Sequence, residues 1–103
     1  FTLLARLLVE SEREAEAKQM AERLYDTVQT YLLSHPQQKR RTLMVRVDEA
    51  PVKRIRGQFR YHVLLKLFDH ADSAPLLALL AELGSVSDDT CRVYCEVNPA
   101  TMM

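Results

Sequence analysis

The chain has 103 residues, 48% hydrophobic and 27% charged, and its 14 basic and 14 acidic side chains cancel. That composition fits one modest core in a single soluble domain and excludes a disordered tract. No apolar run approaches the roughly 18 residues that span a bilayer.

The start, Phe1 to Val9, is apolar and strand-like, without the basic opening and small-residue cleavage site of a signal peptide. The chain is therefore expected to be a piece excised from a longer protein. Cys91 and Cys95 stand four apart in a strand-like segment, and His35, His62 and His70 are scattered, with no C-x-x-C. Reduced, buried thiols in a cytoplasmic protein are expected, and no metal site.

Phe1 to Glu10 reads as a strand with Phe1, Leu3, Ala5, Leu7 and Val9 on one face and Arg6 and Glu10 on the other. Ser11-Glu12-Arg13-Glu14 has the form of a capping box opening a helix. That helix carries Ala17, Met20, Leu24, Val28, Tyr31 and Leu32 on one stripe and ends near Ser34, because Pro36 disfavours helical geometry at His35. Gln37 to Arg41 reads as a polar, basic loop. Thr42 to Val47 is a second strand, with Leu43, Val45 and Val47 inward and Met44 and Arg46 outward. Asp48 to Gln58, containing Pro51 and Gly57, reads as a charged, flexible connection.

The third strand runs from about Phe59 to Phe68, with Phe59, Tyr61, Val63, Leu65 and Leu67 inward. Arg60, His62 and Lys66 then face out, and are expected to be more exposed than Tyr61, Val63 and Leu65. Asp72 or Ser73 is expected to cap a second long helix, with Pro75 in its first turn, Leu76, Leu79, Leu80 and Leu83 on its core face, and Gly84 at its end. Cys91, Val93, Cys95 and Val97 alternate with Arg92, Tyr94 and Glu96 in a last strand. Met102 and Met103 read as a tail. The order β-α-β-β-α-β is the split arrangement of an α+β, ferredoxin-like sandwich: a four-stranded antiparallel sheet with two helices on one face.

Catalytic signatures are missing. Two glycines, Gly57 and Gly84, cannot build a P-loop or a dinucleotide fingerprint. Ser, Cys and His form no plausible triad, and Asp69, Asp72, Asp88 and Asp89 read as caps and solvated turns rather than an acid/base or metal cluster. An acylphosphatase would need a glycine-rich anion loop after the first strand, where acidic Glu10-Ser11-Glu12 stands. Neither ATP hydrolysis nor DNA unwinding is expected of this piece.

The positive signal is charge. Residues 35–66 carry nine basic residues, Lys39, Arg40, Arg41, Arg46, Lys53, Arg54, Arg56, Arg60 and Lys66, against Asp48 and Glu49 alone. Arg6, Arg46, Arg60, His62, Lys66, Arg92 and Tyr94 are expected on the uncovered sheet face, with Lys53-Arg54-Ile55-Arg56-Gly57 as a loop beside it. Guanidinium groups neutralise phosphates, and tyrosine and histidine offer flat surfaces to bases. The candidate DNA-binding set is therefore Lys53, Arg54, Arg56, Arg60, His62, Lys66, Arg46 and Arg92. Leu4, Leu8, Met44 and Leu64 share that face, so docking against a protein is an equal alternative. Arg56-Gly57-Gln58-Phe59-Arg60-Tyr61 has the flavour of an RNA-recognition motif, but its aromatics fall on the helix side of the sheet.

Val52-Lys53-Arg54-Ile55-Arg56-Gly57-Gln58-Phe59-Arg60-Tyr61-His62-Val63-Leu64-Leu65-Lys66 resembles the R-[LI]-R-G-x-[YF]-R-[WY]-x-[LI]-L-L-[KR] run of the C-terminal domain of the primosomal replication-restart helicases, the PriA or primosomal protein N′ family. Phe1-Thr2-Leu3-Leu4-Ala5 is similar to the strand after that family's Pro-Pro-Phe, and Cys95-Glu96-Val97-Asn98-Pro99 to its terminal D-V-D-P. The resemblance implies that residues 1–103 are a single, non-catalytic C-terminal accessory domain of a bacterial, ATP-dependent 3′-to-5′ DNA helicase. Its parent would act in DNA replication restart, at stalled forks. The implied partners are single-stranded or branched DNA, the helicase core of the same chain, the single-stranded DNA-binding protein and other primosome proteins. ATP, Mg and structural zinc would belong to upstream parts of the parent. The runner-up implication is a docking domain for these proteins that never touches DNA.

Overall fold

The computed structural model describes residues 2–68 and 70–98, the side chains of 70–72 excepted. Asp69, the Asp72 side chain, Pro99 and the Met102–Met103 tail, all singled out in the sequence, lie outside the described residues.

Strand β1, Leu3–Ser11, is central, and its odd residues meet the helices: Ala5, Leu7 and Val9 are fully buried. Helix α1, Glu14–Ser34, buries Ala17, Met20, Ala21, Leu24, Val28 and Leu32 at helical spacing. Its start departs from the capping-box reading. The N-cap is Arg13, without a side-chain cap, and Ser11 closes β1 instead. The Ser11 hydroxyl donates to the Thr90 carbonyl at 2.6 Å and accepts the Arg13 N–H at 3.2 Å.

The expected basic loop contains a short helix, α2, Pro36–Arg40, with Pro36 in its first turn, where a missing N–H costs nothing. Strand β2 runs Thr42–Ile55, eight residues past its expected end at Val47. Pro51 and the flanking charges suggest a connection; the strand tolerates them through a register shift between Glu49 and Arg54. A second shift between Thr42 and Met44 turns Leu43 outward, 47% exposed, where inward was expected.

Strand β3, Gln58–Leu67, follows a two-residue turn. Arg56 (φ 52°) and Gly57 (φ 78°) both adopt positive φ, the requirement of a tight hairpin whose twist matches its strands. The long basic connection is therefore a strand end and a tight turn, not a flexible loop.

Helix α3, His70–Leu83, begins two or three residues before the expected cap, so Pro75 stands inside the helix rather than in its first turn. Ser73 does not serve as the cap: its hydroxyl is buried with no partner among the described residues. Strand β4, Arg92–Val97, completes a sheet of order β2-β3-β1-β4 with every pairing antiparallel. Both long helices pack into one core with Leu3, Leu7, Val63, Leu65, Leu67 and Val93. This is the expected α+β, ferredoxin-like sandwich, and no helix among the described residues is long and apolar enough to cross a membrane.

Candidate nucleic-acid interface

The face turned away from the helices receives the even residues of β1 and β3. Cross-strand register places Glu10 beside Arg60, Leu8 beside His62, and Arg6 beside both Leu64 and Glu96. Residues of two central strands in a twisted sheet screen one another, so these side chains are buried without a covering layer. Arg6 is 2% exposed, and Arg60 and His62 are each 4%. The face assignment of Arg60 and His62 holds, but their expected exposure does not: Tyr61, on the core side, is slightly more exposed than either.

Burying a guanidinium without a partner costs several kcal/mol by order of magnitude, and here each has one. Arg60 donates from Nε to Glu10 Oε2 at 3.0 Å and from Nη1 to the Val52 carbonyl at 3.1 Å. Arg6 places its fork on Glu96, with Nε and Nη2 each 3.3 Å from a carboxylate oxygen. Arg6 Nη1 also donates to His62 Nδ1 at 3.4 Å. Burial, followed by the charge of Arg6, holds the His62 imidazole below its ordinary pKa. A neutral ring accepting through Nδ1 must carry its proton on Nε2.

The other candidates separate into two groups. On the open face, Arg46 is exposed and lies 3.6 Å from Asp48, while Lys66 and Arg92 are exposed with no carboxylate in ion-pair range among the described residues. Tyr94 is 40% exposed and Leu4 36%, giving this face an apolar component. At the β2–β3 hairpin, Lys53 lies 3.9 Å from both Glu14 and Glu49. Arg54 faces Phe59 across the strands, and its guanidinium carbon stands 4.7 Å over the ring centre. Arg56 occupies the turn itself. Neither Arg54 nor Arg56 has a carboxylate in ion-pair range among the described residues, and Arg56 is exposed. The eight candidates thus do not form one surface. Arg60 and His62 are structural, Lys53 and Arg46 are partnered, and Arg54 and Arg56 form a cationic tip.

Sequence reasoning overlooked Glu10 and Glu96 as partners of Arg60 and Arg6, although the alternation that puts those arginines on the open face puts the glutamates there too. Phe59 as a platform for Arg54 required the hairpin register, which Pro51 obscures. Of the loop acids, Asp88 serves a turn as expected: its Oδ1 accepts the N–H groups of Thr90 and Cys91, each at 2.8 Å, and these bonds lower its pKa. No group of three or more metal-binding side chains occurs among the described residues. Phe59 and Tyr61 pack on the helix side, away from the surface an RNA-recognition motif would use.

No family model and no curated protein matches the chain. Among solved structures, a dimeric ferredoxin-like protein from an uncultured marine organism is similar at 13% identity and a TM-score of 0.54, covering 93% of this chain and 92% of that one. A de novo designed protein, Foldit4, is similar at 16% identity and a TM-score of 0.50, covering 98% and 100%. These likenesses place the chain in the ferredoxin-like class of α+β folds.

Proposed function

We propose that the chain is the non-catalytic C-terminal domain of a replication-restart DNA helicase, contributing DNA binding through the β2–β3 hairpin and docking to the helicase core. The observation that carries the DNA contact is the cationic tip, where Arg54 and Arg56 have no carboxylate in ion-pair range among the described residues while Arg6 and Arg60 are neutralised within the sheet. The run that resembles the restart helicases, Val52 to Lys66, is the segment that builds this tip and the strand behind it. Phosphates are the natural partners of such cations, and no base-reading geometry is required of them. Unwinding and ATP hydrolysis, with their magnesium and zinc, are assigned to upstream parts of the parent chain.

The test is fluorescence anisotropy of labelled single-stranded and forked oligonucleotides across a salt series. Each neutralised phosphate on a single strand adds about −0.7 to the log–log slope, so Arg54→Ala with Arg56→Ala should flatten it by roughly 1.4. An unchanged slope in a variant of unchanged melting temperature removes the hairpin from DNA binding. The docking reading then stands alone, resting on exposed Leu4 and Tyr94 and half-buried Met44 and Leu64 around the Arg6–Glu96 pair. Its partners would be the helicase core, the single-stranded DNA-binding protein or other primosome proteins. A similar fold described as dimeric makes self-association on this surface worth measuring by sedimentation in the same experiments.

A further inference from the structure

The sheet order makes β2 an edge strand, and the basic block of the sequence is laid out along it. Lys39, Arg40 and Arg41 sit in and just after α2, at the start of β2; Arg46 lies along it; Lys53, Arg54 and Arg56 lie at its far end. Between Asp26 and Asp48 the chain has no acidic residue, so the α2 end of this edge has no acid of its own segment. Lys39 and Arg40 are exposed, with no carboxylate in ion-pair range among the described residues. The middle of the edge is different, because Arg46 is near Asp48 and Lys53 is near Glu49 and Glu14. Along this edge, the positive charge without a carboxylate in range among the described residues is therefore concentrated at two poles.

Helix α1 measures their separation. Its first residue, Glu14, meets Lys53 beside the hairpin, and its last, Ser34, precedes α2. Twenty-one residues at 1.5 Å each set the poles about 30 Å apart, within the 39 Å long axis of the molecule. At 3.4 Å per base pair, 30 Å is about nine base pairs of duplex.

We propose that Lys39 and Arg40 form a second phosphate contact, so that one DNA arm running along the β2 edge is held at both poles. This rests on the hairpin reading above and adds the length and geometry of the ligand: a regular polyanion whose charges recur over at least 30 Å. A singly charged anion would satisfy one pole only.

The experiment compares a 20-base-pair duplex with one of about six base pairs closed by a phosphate-free linker, which is too short to bridge the poles. Lys39→Ala with Arg40→Ala, and Arg54→Ala with Arg56→Ala, are measured by anisotropy across a salt series, with melting temperatures alongside. Lys39→Gln with Arg40→Gln repeats the α2 test should the alanine variant melt early. On the long duplex each double variant should flatten the log–log slope by about 1.8, at roughly 0.9 per lost phosphate contact. On the short duplex the α2 variants should leave the slope unchanged, because the hairpin still holds it. If only the hairpin variant flattens the long-duplex slope, two-point binding is wrong and the hairpin reading survives. If only the α2 variants do, both are wrong, and α2 alone carries the contact. Equal loss from the α2 variants on long and short duplexes also overturns the bridge. So does selective loss of a protein ligand docked on the flanking, exposed Leu33 and Leu43 with DNA binding intact.

Discussion

Arg60 Nε lies 3.0 Å from Glu10 Oε2 across the β1–β3 pair, and this contact decides what the open face of the sheet can do. The guanidinium is nearly inaccessible and the carboxylate only partly so. Removing Glu10 strands a buried cation, whereas replacing both charges with apolar groups leaves no unpaired ion and deprives only the Val52 carbonyl, on an exposed residue, of its donor. Glu10→Ala should therefore cost about 2 kcal/mol, in the range of hydrogen bonds to charged groups. For a domain of this size that lowers Tm by roughly 10 °C. Glu10→Leu with Arg60→Leu should recover most of the loss. Thermal unfolding of the two variants checks both statements, and a double variant as unstable as the single one would show that Arg60 matters for its bond to Val52 rather than for Glu10.

The chain has two glycines, and they fail in different ways. A Cβ on Gly84 would lie 2.6 Å from the Cys95 Cβ and 2.8 Å from the Cys95 backbone nitrogen, where no rotamer change can relieve it. Gly84→Ala should cost about 1–3 kcal/mol by overpacking the end of α3 against β4, and Cys95→Ala should not rescue it because the clashing atoms remain. Gly57 has open space around it but a φ of 78°. Gly57→Ala should cost about 1 kcal/mol through backbone strain alone, and Gly57→Asn less, since asparagine tolerates that region. Chemical denaturation of the variants separates the two mechanisms.

Helix stripes and the side of the sheet that most strand residues face, Leu43 excepted, were legible because each rests on a period, two for strands and 3.6 for helices, that a single sequence displays. Tyr61, Val63 and Leu65 point at the helices as their alternation requires. Exposure was not legible. Whether Arg60 and His62 meet water depends on which residues stand beside them in β1, and pairing across 50 residues has no local signature. The end of β2 was lost for a related reason: Pro51 excludes a regular ladder but not a bulged one, and only the partner strand distinguishes them. Of the candidate site, the hairpin arginines were legible as charge. Their lack of a carboxylate in ion-pair range among the described residues was not.

Stability should fall with mild acid through His62. Its folded pKa is depressed below the ordinary 6.5 by burial and by Arg6, while Asp48 opposes the shift and Arg46 and Arg60 add to it. The unfolded chain therefore binds a proton more readily than the folded one. This contribution is fully present above pH 6.5 and is lost as pH drops from there through the folded value. Urea midpoints taken between about pH 7.5 and 5 should decline, and His62→Gln, which keeps an acceptor without the titration, should flatten that part of the curve. A wild-type midpoint that rises over the same interval would mean that His62 protonates more easily in the folded protein than its position beside Arg6 allows.

The Arg54–Phe59 contact separates charge from orientation in DNA binding. Counterion release depends on how many cations meet phosphates, so Arg54→Lys should preserve the salt slope. The ring supplies something else: a face 4.7 Å below the guanidinium that holds it in one orientation at the hairpin. Exposed cation–π contacts are worth about 0.5–1 kcal/mol, which is roughly a two- to fivefold change in affinity. Phe59→Leu keeps an apolar residue against the core while removing that face. Its binding curves should shift by that factor at every salt concentration, with the slope unchanged. Anisotropy on the same oligonucleotides, with folded fractions from circular dichroism, gives slope and offset together. A parallel offset supports an oriented arginine. No offset means that Arg54 acts as a mobile point charge, and a changed slope means that Phe59 controls whether Arg54 reaches the phosphate.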